Sequence, residues 1–343
     1  MADWDPSRRP TINDIARLAQ VSKKTVSRVI NQSPFVKADT RDRVAAIIAE
    51  LGYAPDPQAR GLAFRRSFLI GLVYDNPNPQ YVIDMQQGIL DAVRGSGFEL
   101  LVHPCDRSSP TFVADVRAFV ERQKLFGVVL PPSVSEDEQL IAALKEIDCD
   151  YVRIASVELD AGASMVVTHD QQGGYAAAKH LAQLGHTVVG HIHGPNTFRS
   201  AHERRAGFRQ GLGEAHLRLP AEYVCEAAYT FDTGAAGAER LLKLRPRPTA
   251  IFTGNDEMAA GVYKAARDAG LEIPRDLSVV GYDDSPLAER LWPPLTTVRL
   301  PIREMGRSAA LKLIGDSETK ARAKPTEFEP ALIVRESTAA APR

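Results

Sequence analysis

Cysteine is scarce in these 343 residues: Cys105, Cys149 and Cys225 lie far apart and form no CxxC spacing. An odd, scattered set excludes a disulfide scaffold and reads as reduced thiols. No apolar run reaches the roughly 18–20 residues of a membrane helix, and the opening MADWDPSRRP is too acidic and polar for a signal peptide. The sequence therefore predicts a cytoplasmic chain. Also absent are GxGxxG, GxxxxGK[ST] and GxSxG, which argues against a nucleotide enzyme or a hydrolase. No catalytic residue, cofactor or metal is expected. What is present is ordinary, with 44% hydrophobic and 25% charged residues, so disorder and collagen are excluded. At roughly 150 residues per domain, the length predicts about two or three domains.

The formal charge of −1 conceals an asymmetry. Residues 1–66 carry 12 Lys/Arg against 7 Asp/Glu, and the remainder carries 30 against 36. A basic head on an acidic body predicts that the head meets a polyanion while the body does something else.

From Thr11 to Asn31 the chain reads TINDIARLAQVSKKTVSRVIN. Ile12, Ile15, Ala16 and Ala19 recur at helical spacing, and Val26, Val29 and Ile30 do so again. Thr11 with Asp14 forms an acidic variant of the capping box, and Ser22 can cap the second helix. About three residues separate the two, so they must cross steeply, as in a helix-turn-helix. With Val26, Val29 and Ile30 inward, Lys23, Lys24 and Arg28 face outward, where Lys and Arg suit guanine O6 and N7 in a major groove. Thr11, Ser22, Thr25, Ser27 and Asn31 are short donors suited to phosphate oxygens.

This segment, T-I-x-D-I-A-x-x-A-x-V-S-x-x-T-V-S-R-V-I-N, closely resembles the helix-turn-helix of the LacI/GalR (lac repressor) family of bacterial transcription regulators. The resemblance continues through Val36, Thr40, Arg43, Val44 and LGYAPDPQARGL, which looks like the family's third helix and hinge. It implies base readers at Lys23, Lys24 and Arg28, and a minor-groove hinge at Ala59 and Leu62. The hinge run PQARGLA is too short to be a stable helix alone, so it is expected to order against DNA and its dimer mate. An apolar wedge such as Leu62 unstacks a base step and bends the duplex. Two departures stand out. Gln20 occupies the turn where the family often has Gly, and Gly61 weakens the hinge helix by about 1 kcal/mol relative to Ala.

From Phe68 onward, short β-rich runs alternate with helical stretches: FLIGLVY, FELLVH, FGVVL and YVRIAS, then MVVTH, TVVGHIH, YVCEAAY, AIFTG and LSVVGY. Such alternation predicts parallel sheets covered by helices on both faces, in two similar lobes. The last strands, LTTVRL and ALIVRE, with the helix Ile302–Ile314 between them, tie the lobes together. The fold class is thus an all-α helix-turn-helix head on an α/β body of two doubly wound parallel sheets. The resemblance makes that body bilobed and periplasmic-binding-protein-like. The expected boundaries are 1–55 for the head, 56–66 for the hinge and 67–343 for the body. Its first lobe takes 67–167 and 300–325, and its second takes 168–299 and 326–340.

In open parallel sheets ligands sit outside the carboxyl ends of the strands. Asp75-Asn76, Pro131-Pro132, Ala155-Ser156, Asp170, Gly194-Pro195-Asn196, Asn255-Asp256 and Asp283-Asp284 follow strands here. With Arg204 and the rings of Tyr81, Phe198 and Trp292, they suit a polyhydroxylated ligand. Asn255 and Asp256 also stand where a helix cap would, Trp292 before Pro293-Pro294 also suits packing between lobes, and Tyr81 spaced with Met85 reads as core. The family resemblance of SAHERRAGF, TGNDEMAAG and SVVGYDDSPLAERLWPPLTTV implies effector contacts at Arg204, Asn255 and Asp283. Asp75 and Asn76 match a more variable loop, and Trp292 completes the expected effector set. His186, His191 and His193 lack the Asp, Glu or Cys that would complete a metal set.

The expected partners are double-stranded operator DNA, a small-molecule effector of the carbohydrate class and a second copy of the chain. The tail RESTAAAPR has no leucine heptads, which predicts a dimer rather than a tetramer. A sugar-binding receptor would account for the body alone, and an architectural DNA protein for the head alone.

Overall fold

The computed structural model describes residues 10–30, 35–53, 67–315 and 324–342. They fall into two compact units that divide between Phe68 and Leu69. In the first, α1 (Ile12–Leu18), α2 (Lys23–Ile30) and α3 (Ala38–Leu51) close around Ile15, Ala16, Ala19, Val26, Val29 and Val44. α1 starts where it does because the Thr11 amide and hydroxyl both donate to Asp14 Oδ2, at 3.0 and 2.6 Å. Ser22 Oγ accepts the Thr25 N–H at 3.1 Å and caps α2. Between them Gln20 takes φ +53°, a left-handed conformation that costs a side chain roughly 1–2 kcal/mol. α3 ends at Gly52, whose φ of +58° lets the Tyr53 N–H reach Ile48 O at 3.1 Å.

The second unit begins with β1 (Leu69–Tyr74), α4 (Pro79–Val93), β2 (Glu99–Pro104), α5 (Phe112–Gln123), β3 (Gly127–Leu130), α6 (Glu138–Glu146), β4 (Asp150–Ala155) and β5 (Met165–Val167). It continues with α7 (Asp170–Gln183), β6 (Val189–His193), α8 (Arg199–Glu214), β7 (Val224–Glu226), α9 (Phe231–Leu242), β8 (Ala250–Thr253), α10 (Asp256–Asp268) and β9 (Ser278–Asp283). It closes with α11 (Pro286–Arg290), β10 (Thr296–Arg299), α12 (Ile302–Ile314), β11 (Thr326–Glu327) and β12 (Ala331–Ile333).

The strand orders are β2-β1-β3-β4-β5-β11 in one sheet and β7-β6-β8-β9-β10-β12 in the other. β12 runs antiparallel to β10, and the remaining pairings are parallel. β6 and β9 are buried at every position, as helices on both faces of a parallel sheet require. The chain crosses between lobes after β5, after β10 and after β11. Thr326 and Glu327 register with Val166 and Val167, so the last crossing falls after Glu327 rather than at residue 326. In both sheets the order reverses between the first and third strands, and such a switch point opens a crevice at the strand carboxyl ends.

Helix pairs approach backbone to backbone where glycines face each other. A Cβ on Gly174 of α7 would lie 2.0 Å from Arg204 O, and one on Gly207 of α8 would lie 1.8 Å from Gln171 O. α4 meets α12 in the same way, since a Cβ on Gly88 would lie 1.9 Å from Arg303 O. Gly207→Ala is expected to lower stability by about 3 kcal/mol, because a backbone oxygen cannot step aside. Gly213→Ala on the same helix meets nothing within 4 Å, and should be neutral or gain up to about 1 kcal/mol. Urea denaturation of the two variants checks this, and equal midpoints would show that the α7–α8 contact is not tight.

Candidate functional site

In the first unit α2 presents Lys23, Lys24 and Arg28 outward, while Val26 and Val29 are buried beneath. A helix two turns long thus carries its cations on the face opposite its apolar residues. The candidate phosphate donors divide by their own bonds. The Thr11 hydroxyl is committed to Asp14, so the cap holds the proton that a phosphate would need. Ser22 Oγ and Thr25 Oγ1 bond each other at 2.9 Å, which leaves one hydroxyl proton of that pair to give outward. Ser27 is half-buried on α2. Asn31, Ala59 and Leu62 lie outside the described residues.

In the second unit a cavity lies between the lobes at the carboxyl ends of both sheets. Asn76 and Asn78 after β1, Pro132 after β3, and Thr168 and Asp170 after β5 line it from one side. Phe198, Ser200 and Arg204 after β6, Tyr229 after β7, Asn255 after β8 and Asp283 after β9 line the other. Its centre is an ion pair: Arg204 Nε donates to Asp170 Oδ1 at 2.7 Å, and both side chains are buried. The reciprocal glycines of α7 and α8 bring these two charges together, for Gly174 packs on the carbonyl of Arg204 itself. Thr168 Oγ1 donates to Asp170 Oδ2, and Arg204 Nη1 donates to Gly254 O. The guanidinium lies over the Tyr282 ring, 3.6 Å from its centroid, a cation–π contact strengthened by burial. Asp283 Oδ1 stands 3.9 Å from Arg204 Nη1. Burial raises the Asp283 carboxyl well above the ordinary range, against the pull of Arg204.

Asn255 serves both expected roles. Its Oδ1 accepts the Met258 N–H at 2.9 Å as the α10 cap, its Nδ2 donates to Tyr229 O at 3.0 Å, and the residue also lines the cavity. Tyr81 likewise is buried and lines the wall.

Two expected members lie elsewhere. Asp75 does not line the cavity, because its Oδ2 accepts the Arg107 N–H at 3.0 Å. It holds the Arg107 segment, whose guanidinium reaches Thr197 O of the second lobe at 3.2 Å. Trp292 is 86% exposed and shares an outer groove with Phe231 and Tyr263. The reason is topological. β10 runs parallel to β9, so the chain must return to the amino end of the sheet before Thr296, and Trp292 sits on that return, away from the cleft.

Reading along the chain missed Asn78, Ser200, Thr168 and Tyr229 as cleft residues. Asn78 had a usable signal, since Asn before Pro79 marks a helix cap. It accepts the Gln80 N–H at 3.0 Å and donates to Asp283 Oδ2 at 3.3 Å across the lobes. Tyr229 had none, for its φ of +59° is set by its surroundings. The histidines are structural: His186 bonds Thr249 and Ser278, and His191 stacks on Phe252 at 4.9 Å. Burial pulls His191 down to about 3.

The cavity is narrow in this arrangement of the lobes, about 30 Å³. Asn78–Asp283, Arg107–Thr197 and the Arg199 N–H donated to Glu136 Oε2 at 3.2 Å all join the two lobes. A ligand held between them shifts the lobe arrangement only as far as it binds one arrangement better than another.

A capped two-helix reader and a two-lobed body with a polar interlobe site, in one chain, define a ligand-responsive DNA-binding protein. Residues 11–56 match the bacterial regulatory proteins of the lacI family, and residues 178–338 match the periplasmic binding protein-like domain. The chain is 34% identical to the HTH-type transcriptional regulator DegA of Bacillus subtilis (strain 168), over 96% of this chain and 98% of that protein. It is 33% identical to the ribose operon repressor of Haemophilus influenzae, over 95% and 98%. Among solved structures, the lac repressor dimer bound to operator and the anti-inducer ONPF superposes with a TM-score of 0.79 at 28% identity, covering 97% of this chain and all of that one. The CelR–cellobiose complex superposes with a TM-score of 0.70 at 31% identity, covering 96% and all of it. The chain belongs to the LacI family, and it is a DNA-binding transcription regulator controlled by an effector. Among the described residues no helix is long and apolar enough to cross a membrane.

Proposed function

We propose that this chain is a cytoplasmic repressor without catalytic activity, which binds a pseudo-palindromic operator as a dimer and takes a neutral sugar between its lobes. The observation that carries the choice of effector is the state of Arg204. It is the cation among the cavity-lining residues, and its charge is already spent on Asp170, with Asp283 close by. A phosphorylated or carboxylated effector would bring an anion to a site whose lining cation, among the described residues, is already paired. Hydroxyl pairs suit the amides, carboxylates and aromatic rings that remain. Relatives point the same way, since one carries ribose in its name and a solved neighbour holds cellobiose.

Lys23, Lys24 and Arg28 read bases in this proposal, and Ala59 and Leu62 enter the minor groove. One head binds weakly, so two are paired through the body. The exposed apolar surface around Trp292 and Phe231 is the candidate pairing face.

Fluorescence anisotropy on the chain's own upstream DNA and on a scrambled duplex, at fixed salt with a panel of neutral and phosphorylated sugars, tests this. A preference of about 1,000-fold for one duplex, shifted by a neutral sugar alone, is expected. A response only to phosphorylated sugars would overturn the effector assignment. Lys24→Ala should relax sequence preference at one base position, by about 1–3 kcal/mol. Loss uniform over all duplexes would make Lys24 a phosphate contact instead.

A further inference from the structure

Beside the effector cleft, Arg107 and Glu136 of the first lobe reach the amino end of α8 in the second, and neither lines the cavity. α8 has no cap of its own. Its N-cap position is Phe198, whose ring offers no oxygen to an N–H, and it makes no side-chain cap. The Arg199 N–H is donated instead to Glu136 Oε2 at 3.2 Å, and Thr197 O, two residues earlier, accepts from Arg107 Nη1 at 3.2 Å. A carboxylate is favourable at the positive end of a helix. The helix that carries Ser200 and Arg204 into the cleft is therefore capped from the opposite lobe.

The first lobe holds these groups in place before they meet the second. Asp75 Oδ2 accepts the Arg107 N–H at 3.0 Å, and Asp137 Oδ2 lies 3.6 Å from Arg107 Nε while its Oδ1 accepts the Leu140 N–H as the α6 cap. The contact also carries an opposing cost. Glu136 Oε1 is buried and has no hydrogen bond among the described residues, which offsets part of what the bond at Oε2 contributes. Burial raises the Glu136 carboxyl above its ordinary range, while the Arg199 N–H and the charges of Arg107 and Arg199 pull it down. A contact held against such a cost yields to a ligand of modest preference for another arrangement.

We propose that Glu136 and Arg107 are positioning residues for the effector response, a clasp that sets the balance between lobe arrangements when no effector is bound. Because this rests on the proposed control of operator affinity through the lobes, the first measurement uses neither DNA nor sugar. In hydrogen exchange of the full-length protein, the first-turn amides of α8 should exchange about fivefold faster in Glu136→Ala with Arg107→Ala, with the buried strands β6 and β9 unchanged. Glu136→Gln keeps an acceptor oxygen and should stay within about twofold of the native chain. Equal exchange in the double variant, or an increase spread over the whole body, would overturn the clasp. Anisotropy on the chain's own upstream DNA then reads the regulatory role. Neither residue lines the cavity or belongs to the head, so a change of at least about threefold in duplex affinity must come through the lobe arrangement. Faster exchange with unchanged duplex affinity would overturn that role and leave only a structural cap. A native chain that prefers no duplex would overturn the operator reading instead, and exchange would still decide the clasp.

Discussion

Replacing Arg204 with alanine should abolish the effector response and cost the fold about 3–5 kcal/mol. The pair it forms with Asp170 is buried on both sides, at 2.7 Å. Removing the cation leaves the buried Asp170 carboxylate without its ion-pair partner, with the Thr168 hydroxyl still donating to its other oxygen. Lost stability alone could silence the protein, so the informative variant is double. Arg204→Met with Asp170→Leu removes both charges, and replacing a buried pair by apolar groups is commonly neutral or better. The double variant should melt close to the native chain, bind operator, and ignore every sugar that acts on the native protein. If it responds normally, the pair is a scaffold and the effector lies elsewhere.

The second large effect is set by pH. Asp256, the first residue of α10, is buried and accepts bonds from Thr297 Oγ1 at 2.6 Å, Ser285 N at 2.7 Å and Ser285 Oγ at 2.9 Å. Burial pushes its carboxyl from 3.8 up to about 7, with Asp284 adding to the rise and the three donors opposing it. The folded chain therefore holds this proton over a range in which the unfolded chain has released it. Its contribution to stability is complete below about pH 4, falls as pH rises toward 7, and is gone above that. The full span is about 4 kcal/mol. Asp256→Asn cannot titrate, so the difference in unfolding free energy between native chain and variant should fall by about 1.4 kcal/mol per pH unit across that window. Urea melts from pH 5 to 8 measure it, and parallel curves would mean that the carboxylate is ionised throughout. Ser285 anchors the turn after Asp283, so the same protonation bears on the cleft wall.

Much of this molecule was legible locally. Apolar spacing marked α1 and α2, and Thr11 with Asp14 marked the first cap, because both depend on residues three or four apart. Runs such as SVVGYD announced buried parallel strands, because only such strands are apolar on both faces. The turn at Gln20 was flagged only by the family resemblance, which often has Gly there, and the structure gives it a left-handed backbone of φ +53°.

The cleft was legible in part, for a reason of the same kind. Arg204, Asn255 and Asp283 sit at fixed places relative to strand ends, and a parallel sheet puts those ends together. Trp292 failed the same rule because it lies on a return segment, where sequence proximity to Asp283 carries the chain to the opposite end of the sheet.

By itself, then, the sequence determined the elements, their order, the basic reading face of α2 and the end of the sheets at which a ligand would sit. Only the tertiary structure decided which charges there are free. Arg204 meets Asp170 because glycines 33 residues apart, Gly174 and Gly207, let α7 and α8 touch backbone to backbone. Contacts of that range depend on packing between elements, and no periodicity along the chain encodes the distance between two helices.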